Sequence, residues 1–201
     1  MARKRVSTVK WMRVGVVCRP MKNREVSGDA YLFLEWNAQT LIAVIDGLGH
    51  GAGAYNASQK AREYVKDHAA EDLEVIIRGC HKHIERTRGV SIGLVRIDRK
   101  TNLFSCCGVG NIETRILSKR SRHPISTAGI VGYSLRKIRK SEYPYDPGGV
   151  VLLHSDGVFT RFDPSNYPNL RRDPQRAAEQ IMKEWGKETD DATILIAVET
   201  G

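Results

Sequence analysis

Several signals that would divide or export a protein are missing from this chain of 201 residues. It has no internal repeat and no Pro-, Gly- or Ser-rich stretch, which predicts one compact domain spanning residues 1–201. No apolar run approaches the roughly 20 residues that a membrane-spanning helix needs. The basic opening, Met1 to Arg5, is not followed by an apolar segment of secretory length. We therefore expect a cytoplasmic protein with no membrane partner.

Cysteine is scarce and poorly placed for a metal or disulfide site. The four cysteines form no CxxC pair, and two of them are adjacent, which would strain a mutual disulfide. Neither a zinc site nor a disulfide framework is predicted. We expect reduced core thiols at Cys18, Cys80, Cys106 and Cys107.

Acidic residues are absent between Thr114 and Ser141, although the chain has 23 of them and a net charge of +9. A basic face of this kind can steer an acidic protein or a nucleic acid, and a solvated loop region is the alternative interpretation. Tyr133 is the only aromatic residue in the stretch, which is too few for base stacking. We therefore expect no nucleic-acid partner and favour a docking surface for an acidic protein. The eight basic residues are Arg115, Lys119, Arg120, Arg122, Arg136, Lys137, Arg139 and Lys140.

Short apolar or alternating runs predict eight strands, and three segments have helical periodicity. Strands do not alternate one-for-one with helices, which argues against a doubly wound parallel sheet. The pattern predicts an α+β fold with two stacked antiparallel sheets and helices packed outside them. The predicted strands are Trp11–Cys18, Ala30–Trp36, Thr40–Ile45, Val90–Ile97, Asn102–Cys107, Ile112–Leu117, Gly149–His154 and Ala192–Val198, and the helices are near Ala52 to His68, Leu73 to Ile84 and Ala178 to Trp185.

Four acidic motifs lie next to apolar runs. The predicted strand Thr40–Ile45 delivers Asp46 at its end, and Gly149–His154 does the same for Asp156. Antiparallel neighbours can bring such ends to one edge, where carboxylates raise one another's pKa unless a cation lies between them. Hard oxygen ligands without a competing His/Cys set suit Mg²⁺ or Mn²⁺. The motifs are Ser27-Gly28-Asp29, Asp46-Gly47-Leu48-Gly49-His50-Gly51, Ser155-Asp156-Gly157 and Asp190-Asp191-Ala192-Thr193.

Alternate glycines follow Asp46, at Gly47, Gly49, Gly51 and Gly53. Glycine lets the backbone approach a ligand closely, and a glycine-rich turn that opens a helix can bind phosphate. Alone, such a turn is most often a tight strand-to-helix connection, and a lone Asp most often ends a strand. The four motifs together favour a metal site.

In this order, the motifs SGD, DGxGHG, SDG and DDxT resemble those of the metal-dependent serine/threonine protein phosphatases of type 2C, in the bacterial SpoIIE-like branch. The resemblance spans Ser27 to Thr193, almost the whole chain. It implies an αββα sandwich, one phosphatase domain over residues 1–201, and a two-metal site at one edge of the sheets. It also implies that water activated by two Mn²⁺ or Mg²⁺ ions attacks phosphorus, without a covalent phosphoenzyme.

The resemblance also assigns the metal ligands by motif. It implies that Asp46 bridges both metals, with the Gly47 carbonyl on the first and Asp156 and Asp190 on the second. These three aspartates would then carry the catalysis through the activated water. Asp29 would bind directly or through a water, and would serve a third metal if one is present.

Three further residues have open roles. Asp191 is the less certain ligand beside Asp190. His50 lies in the glycine turn, where it could contact the metal-bound solvent or donate a proton, or could merely order the turn. Arg24 lies just upstream of Asp29, where some eukaryotic members carry a phosphate-binding arginine. Bacterial members commonly lack that arginine, so a solvated surface residue is the alternative.

Within the branch, this short chain is most similar to stand-alone phosphatases that reset the stressosome. Its substrates would then be phosphoserine or phosphothreonine on STAS-domain scaffold proteins. A phosphatase of an anti-sigma-factor antagonist is the alternative, because such enzymes carry the same motifs. A catalytically dead basic scaffold is the non-enzymatic alternative, and the intact acidic set argues against it.

A cysteine-dependent phosphatase is disfavoured. Cys18 and Arg24 have the C-x5-R spacing, as do Cys80 and Arg86. Residues 19–23 contain no glycine that would let backbone amides wrap a phosphate, and Cys80 lies on the apolar face of a predicted helix.

Overall fold

Two antiparallel sheets stack on each other in the computed structural model, which describes residues 11–200. The four-stranded sheet has the order β1-β11-β10-β6, and the five-stranded sheet has the order β2-β3-β4-β5-β9. A small hairpin, β7–β8, lies beside them. The strands are β1 Met12–Arg19, β2 Asp29–Trp36, β3 Gln39–Gly47, β4 Val90–Asp98, β5 Leu103–Val109, β6 Glu113–Leu117, β7 Gly129–Ile130, β8 Ser134–Leu135, β9 Lys140–Pro144, β10 Val150–His154 and β11 Ala192–Glu199.

Helices cover the outer faces of both sheets. The helices α1 (Ala52–Asp67) and α2 (Leu73–His83) pack on the five-stranded sheet, and α3 (Pro174–Trp185) packs on the four-stranded sheet. A 3-10 helix, Pro164–Asn166, precedes α3. The predicted α+β class and the αββα sandwich are therefore confirmed.

Local sequence sets where each helix begins. The side chain of Asp72 caps α2 by accepting a hydrogen bond from the amide of Glu74. Asp173 caps α3 in the same way, and Pro174 follows it at the first helical position. α1 instead begins after Gly51, whose φ of 72° favours glycine. The glycine turn after β3 therefore leads directly into α1.

The strand β3 is buried on both faces. Ile42 and Val44 face the other sheet, while Leu41 and Ile45 face the helices. This double burial explains the uninterrupted apolar run of β3. Burial of each such side chain contributes about 1.5–3 kcal/mol, so the strand that delivers Asp46 is held firmly in place.

All eight predicted strands are present, with ends shifted by no more than two residues. The two-residue strands β7 and β8 were not predicted, because two residues are too few to show periodicity. β9 was not predicted either, since it is an edge strand that carries Lys140 and Glu142 rather than an apolar run.

Cys18 is half-buried, the other three cysteines are buried, and all four are free thiols. None of the helices within residues 11–200 has the length and apolar character needed to span a membrane. The basic opening, Met1 to Arg5, lies outside the described residues.

Candidate metal centre

The ends of four strands bring the acidic motifs to one edge of the sandwich. Asp29 begins β2 and pairs directly with Asp46 near the end of β3. Asp156 lies two residues after β10, and Asp190 lies two residues before β11, its antiparallel neighbour. A hydrogen bond of 2.7 Å from Ser155 Oγ to Asp29 Oδ2 then joins the two sheets at this edge.

Burial and mutual repulsion perturb these carboxyl groups. The pKa of Asp46 is raised to about 8, first by burial and then by the charges of Asp29, Asp156 and Asp190. Burial raises the pKa of Asp29 to about 7, and the hydrogen bond from Ser155 opposes that rise. The pKa of Asp190 is also raised, by burial and then by Asp156. The acids are therefore close enough to interact strongly.

Asp29 has one oxygen held and one oxygen free. Its Oδ2 accepts the hydrogen bond from Ser155 Oγ. The same Oγ accepts a hydrogen bond of 3.0 Å from the backbone amide of Thr193. Its buried Oδ1 has no hydrogen-bond partner among the described residues. A buried acceptor without a partner is unfavourable, so Oδ1 is suited to a cation, a water or a proton.

Asp190 and Asp191 have different surroundings. The carboxylate of Asp191 accepts hydrogen bonds from the amides of Met21 at 2.9 Å and Gly28 at 2.8 Å, one on each oxygen. It therefore ties the loop before β2 to the start of β11. Asp190 is only partly buried, and the charge of Asp156 helps to raise its pKa. This geometry favours Asp190 over Asp191 as a ligand, and the ligand role of Asp191 stays a prediction.

The glycine turn is shaped by close backbone contacts. A side chain at Gly47 would put its Cβ 2.2 Å from the carbonyl oxygen of Ala54. Gly49 and Gly51 have φ values of 83° and 72°, which favour glycine. Close packing against α1 and positive φ angles explain why the turn needs glycine. Whether the Gly47 carbonyl binds a metal stays a prediction.

His50 and Arg24 are both exposed. The His50 carbonyl accepts a hydrogen bond of 3.2 Å from Arg88 Nη1. Arg88, which the sequence analysis did not single out, lies across the turn, because a Cβ at Gly53 would approach its Nε to 2.6 Å. The proton-donor role of His50 and the phosphate-binding role of Arg24 stay predictions.

Asn111 is a second residue that the sequence analysis missed. Its Nδ2 donates a hydrogen bond of 2.7 Å to Asp156 Oδ2, and it also favours the ionised form of Asp46. The turn between β5 and β6 aims it at the acids, and Gly110 allows that turn with a φ of 93°. No local sequence pattern marks an asparagine that acts on residues so distant in the chain.

The oxygen ligands at this edge suit a divalent cation. Within residues 11–200, no group of three His, Cys, Asp or Glu side chains is already arranged to hold a metal ion. The unpartnered Oδ1 of Asp29 and the high pKa of Asp46 nevertheless show that this edge lacks positive charge. Carboxylate and carbonyl oxygens fit Mg²⁺ or Mn²⁺.

The cysteines are poor nucleophiles. Burial raises the pKa of Cys18, and it raises the pKa of Cys80 to about 12. A catalytic cysteine needs a lowered pKa, so that the thiolate forms near neutral pH. Both C-x5-R matches therefore lack the chemistry of a cysteine-dependent phosphatase.

Comparison with known sequences identifies a family and a relative. The family model described as Stage II sporulation protein E (SpoIIE) matches residues 37–198. The phosphoserine phosphatase RsbX of Bacillus subtilis (strain 168) is 26% identical over 152 residues, which are 75% of this chain and 73% of RsbX.

Comparison with solved structures gives the same architecture. A structure from work on the bacterial stressosome, described as a modular system adapted to control secondary messenger signalling, has a TM-score of 0.89 at 30% identity and covers 94% of this chain and 100% of its own. RsbX in complex with magnesium has a TM-score of 0.81 at 22% identity, and the match covers 96% of this chain and 97% of RsbX. The serine/threonine phosphatase PstP/Ppp of Mycobacterium tuberculosis has a TM-score of 0.72 at 15% identity, covering 94% and 99%. The last two likenesses establish the shared fold.

Proposed function

Because this chain belongs to the SpoIIE family of type 2C protein phosphatases, we propose that it hydrolyses phosphoserine and phosphothreonine on STAS-domain proteins of a stressosome-type complex. The proposal takes residues 1–201 as a single phosphatase domain that acts in the cytoplasm. It requires two divalent cations, Mn²⁺ or Mg²⁺, and allows a third.

One observation carries the proposal. Four separate sequence motifs converge at one edge, where burial and the neighbouring acids raise the pKa of Asp46 to about 8. A fold retains such a cluster at a cost in stability, because buried like charges repel one another. A function that needs several carboxylates together explains why the cluster is present.

Each residue has a defined part in the proposed reaction. Bound Mg²⁺ or Mn²⁺ would supply an activated water nucleophile and neutralise the phosphoryl oxygens. Asp46, the Gly47 carbonyl, Asp156 and Asp190 would hold the two ions. Asp29 is held by Ser155 through Oδ2, so its Oδ1 is the atom available for a ligand, a water or a proton. The supporting chemistry is the all-oxygen ligand set.

The substrate class is argued from similarity. The relative RsbX is named a phosphoserine phosphatase, and the structure with 30% identity comes from work on the stressosome. A phosphorylated STAS-domain protein of a stressosome is therefore the first substrate to test. A phosphorylated anti-sigma-factor antagonist is the alternative, since the same SpoIIE family model covers residues 37–198.

The test is phosphate release from a phosphorylated STAS-domain protein with Mn²⁺, repeated with EDTA and with Asp46→Asn. We expect release that needs Mn²⁺ and is lost in Asp46→Asn, while the exposed control Asp67→Asn on α1 behaves as the wild type. Activity that survives EDTA would support a cysteine mechanism instead. A protein that binds no Mn²⁺ in calorimetry and releases no phosphate would be the catalytically dead scaffold.

A further inference from the structure

The acid-free stretch 114–141 does not form one basic face. Arg115 is buried, donates a hydrogen bond of 2.9 Å to the carbonyl of Phe162 and lies over the ring of that residue. Lys140 forms an ion pair of 2.6 Å with Asp72. The idea of a single docking surface therefore fails for these two residues, because burial and ion pairing already use their charges.

Three other basic residues of the stretch line one cavity of about 260 Å³. Lys119 and Arg120 are exposed, and the Arg122 guanidinium lies 5.8 Å from the ring centroid of Tyr143. Among the described residues that line the cavity, Asp146 is the one acid. The ion pairs found within residues 11–200 involve none of the three cations. The cavity therefore has a net positive charge.

The cavity lies at the end of the sandwich opposite the metal centre. β6 runs from Glu113, which pairs with His154 near the acidic edge, to Leu117, which pairs with Val150 at the other end. Ser118, Lys119 and Arg120, which directly follow Leu117, line the cavity. β10 alone, from Val150 to His154, spans about 13 Å at about 3.3 Å per residue of extended chain, and Lys119 and Asp156 lie beyond its two ends.

We propose that this cavity, the distal basic pocket formed by Lys119, Arg120 and Arg122, docks an acidic segment of the phosphoprotein substrate. The inference rests on the proposed phosphatase function and adds a second contact to it. The acidic edge repels an acidic segment, whereas the distal basic pocket attracts it. The two ends of the enzyme therefore orient the substrate before its phosphate reaches the metal centre.

The spacing decides which substrates profit from the distal basic pocket. A folded phosphoprotein can contact both ends of the sandwich, whereas an extended phosphopeptide of three residues reaches only about 10 Å, which is shorter than β10 alone. The pocket therefore lowers KM for whole phosphoproteins and leaves short phosphopeptides and p-nitrophenyl phosphate unaffected.

The kinetic test compares two double variants of exposed residues. Lys119→Glu/Arg120→Glu reverses the charge of the distal basic pocket, and Arg136→Glu/Lys137→Glu makes the same charge change elsewhere on the surface. We expect the first variant to lose about tenfold or more in kcat/KM on a phosphorylated STAS-domain protein at low salt, through KM. The loss should shrink in 0.5 M salt, because screening weakens exposed charges. An equal loss in both variants would overturn the proposal.

A binding test keeps the two proposals separable. A fluorescent polyglutamate peptide should bind the wild type and the Arg136→Glu/Lys137→Glu variant, but not Lys119→Glu/Arg120→Glu. Mn²⁺-dependent hydrolysis of p-nitrophenyl phosphate reports on the metal centre alone, and we expect it to be unchanged in both variants. If the wild type does not hydrolyse this compound, the proposed phosphatase function is refuted, but the docking role of the distal basic pocket is not. Wild-type binding of an RNA oligonucleotide but not of polyglutamate would overturn docking of an acidic protein.

Discussion

Replacing Asp46 by Asn is expected to stabilise the metal-free protein while it abolishes phosphatase activity. Burial and the neighbouring acids raise the pKa of Asp46 from 3.8 to about 8 in the folded chain. The folded form therefore binds this proton more tightly than the unfolded chain does. The contribution of the protonated Asp46 carboxyl to the stability of the fold is therefore complete below about pH 4, and it is lost as the pH rises toward 8.

The magnitude follows from the pKa difference. At pH 8 the stability lost through ionisation of Asp46 is about 5 kcal/mol, at about 1.4 kcal/mol per pKa unit. This figure is an upper limit, because part of the repulsion is shared with Asp29, Asp156 and Asp190. Asparagine carries no charge but still buries a polar amide, which opposes the gain. We expect a net gain of about 2 kcal/mol at pH 8, or about 4–8 °C in Tm for a chain of this length.

The assay is thermal unfolding of the wild type and Asp46→Asn in EDTA, at pH 8 and at pH 5.5. The upper limit falls to about 2 kcal/mol at pH 5.5, so the advantage of Asp46→Asn should be less than half as large there. Excess Mn²⁺ should reverse the order at pH 8, because a ligand that binds only the folded state stabilises it.

Two results would refute this reasoning. Asp46→Asn could be no more stable than the wild type at pH 8 in EDTA, or its advantage could be the same at both pH values. The exposed control Asp67→Asn should leave Tm unchanged at each pH.

Three other substitutions test separate parts of the structure. Asn111→Ala should weaken Mn²⁺ binding about 10- to 100-fold in calorimetry, because it removes the hydrogen bond that orients Asp156, and an unchanged affinity would contradict that role. Gly15→Ala should lower the free energy of unfolding in urea by about 1–3 kcal/mol, since its Cβ would lie 2.1 Å from backbone atoms of Pro174; no loss would show that α3 can shift freely. Arg115→Met should lower the free energy of unfolding by about 1–3 kcal/mol, because it leaves the carbonyl of Phe162 without its hydrogen bond. The variant should still bind polyglutamate, and a loss of that binding would show that Arg115 is part of the docking surface.

The acidic edge could be predicted from the sequence because each acid follows or precedes a buried strand. The strand Gln39–Gly47 has an uninterrupted apolar run up to Asp46, and Ala192–Glu199 starts two residues after Asp190. Strand identity and the position of each acid at a strand end are local properties. Local properties are what hydrophobic patterns report.

The rest of the site depends on contacts between distant parts of the chain. Asn111 reaches Asp156 across 45 residues, and Arg88 reaches His50 across 38. The charges of Arg115 and Lys140 look alike in the sequence, but one is buried against Phe162 and the other is paired with Asp72. Periodicity and composition contain no information on such pairings, so a run of basic residues could not be divided into separate roles.

The order of strands in the four-stranded sheet has a consequence for biosynthesis. β11 is the last strand of the described chain, yet it lies between β1 and β10 and pairs with both. While β11 is still inside the ribosome, β1 has no partner strand in its sheet, and Asp190 has not reached the acidic edge. Pairing between the two ends of a chain is also slow, because it closes a long loop. A nascent chain therefore cannot complete this sheet or assemble the acidic edge until β11 has left the ribosome.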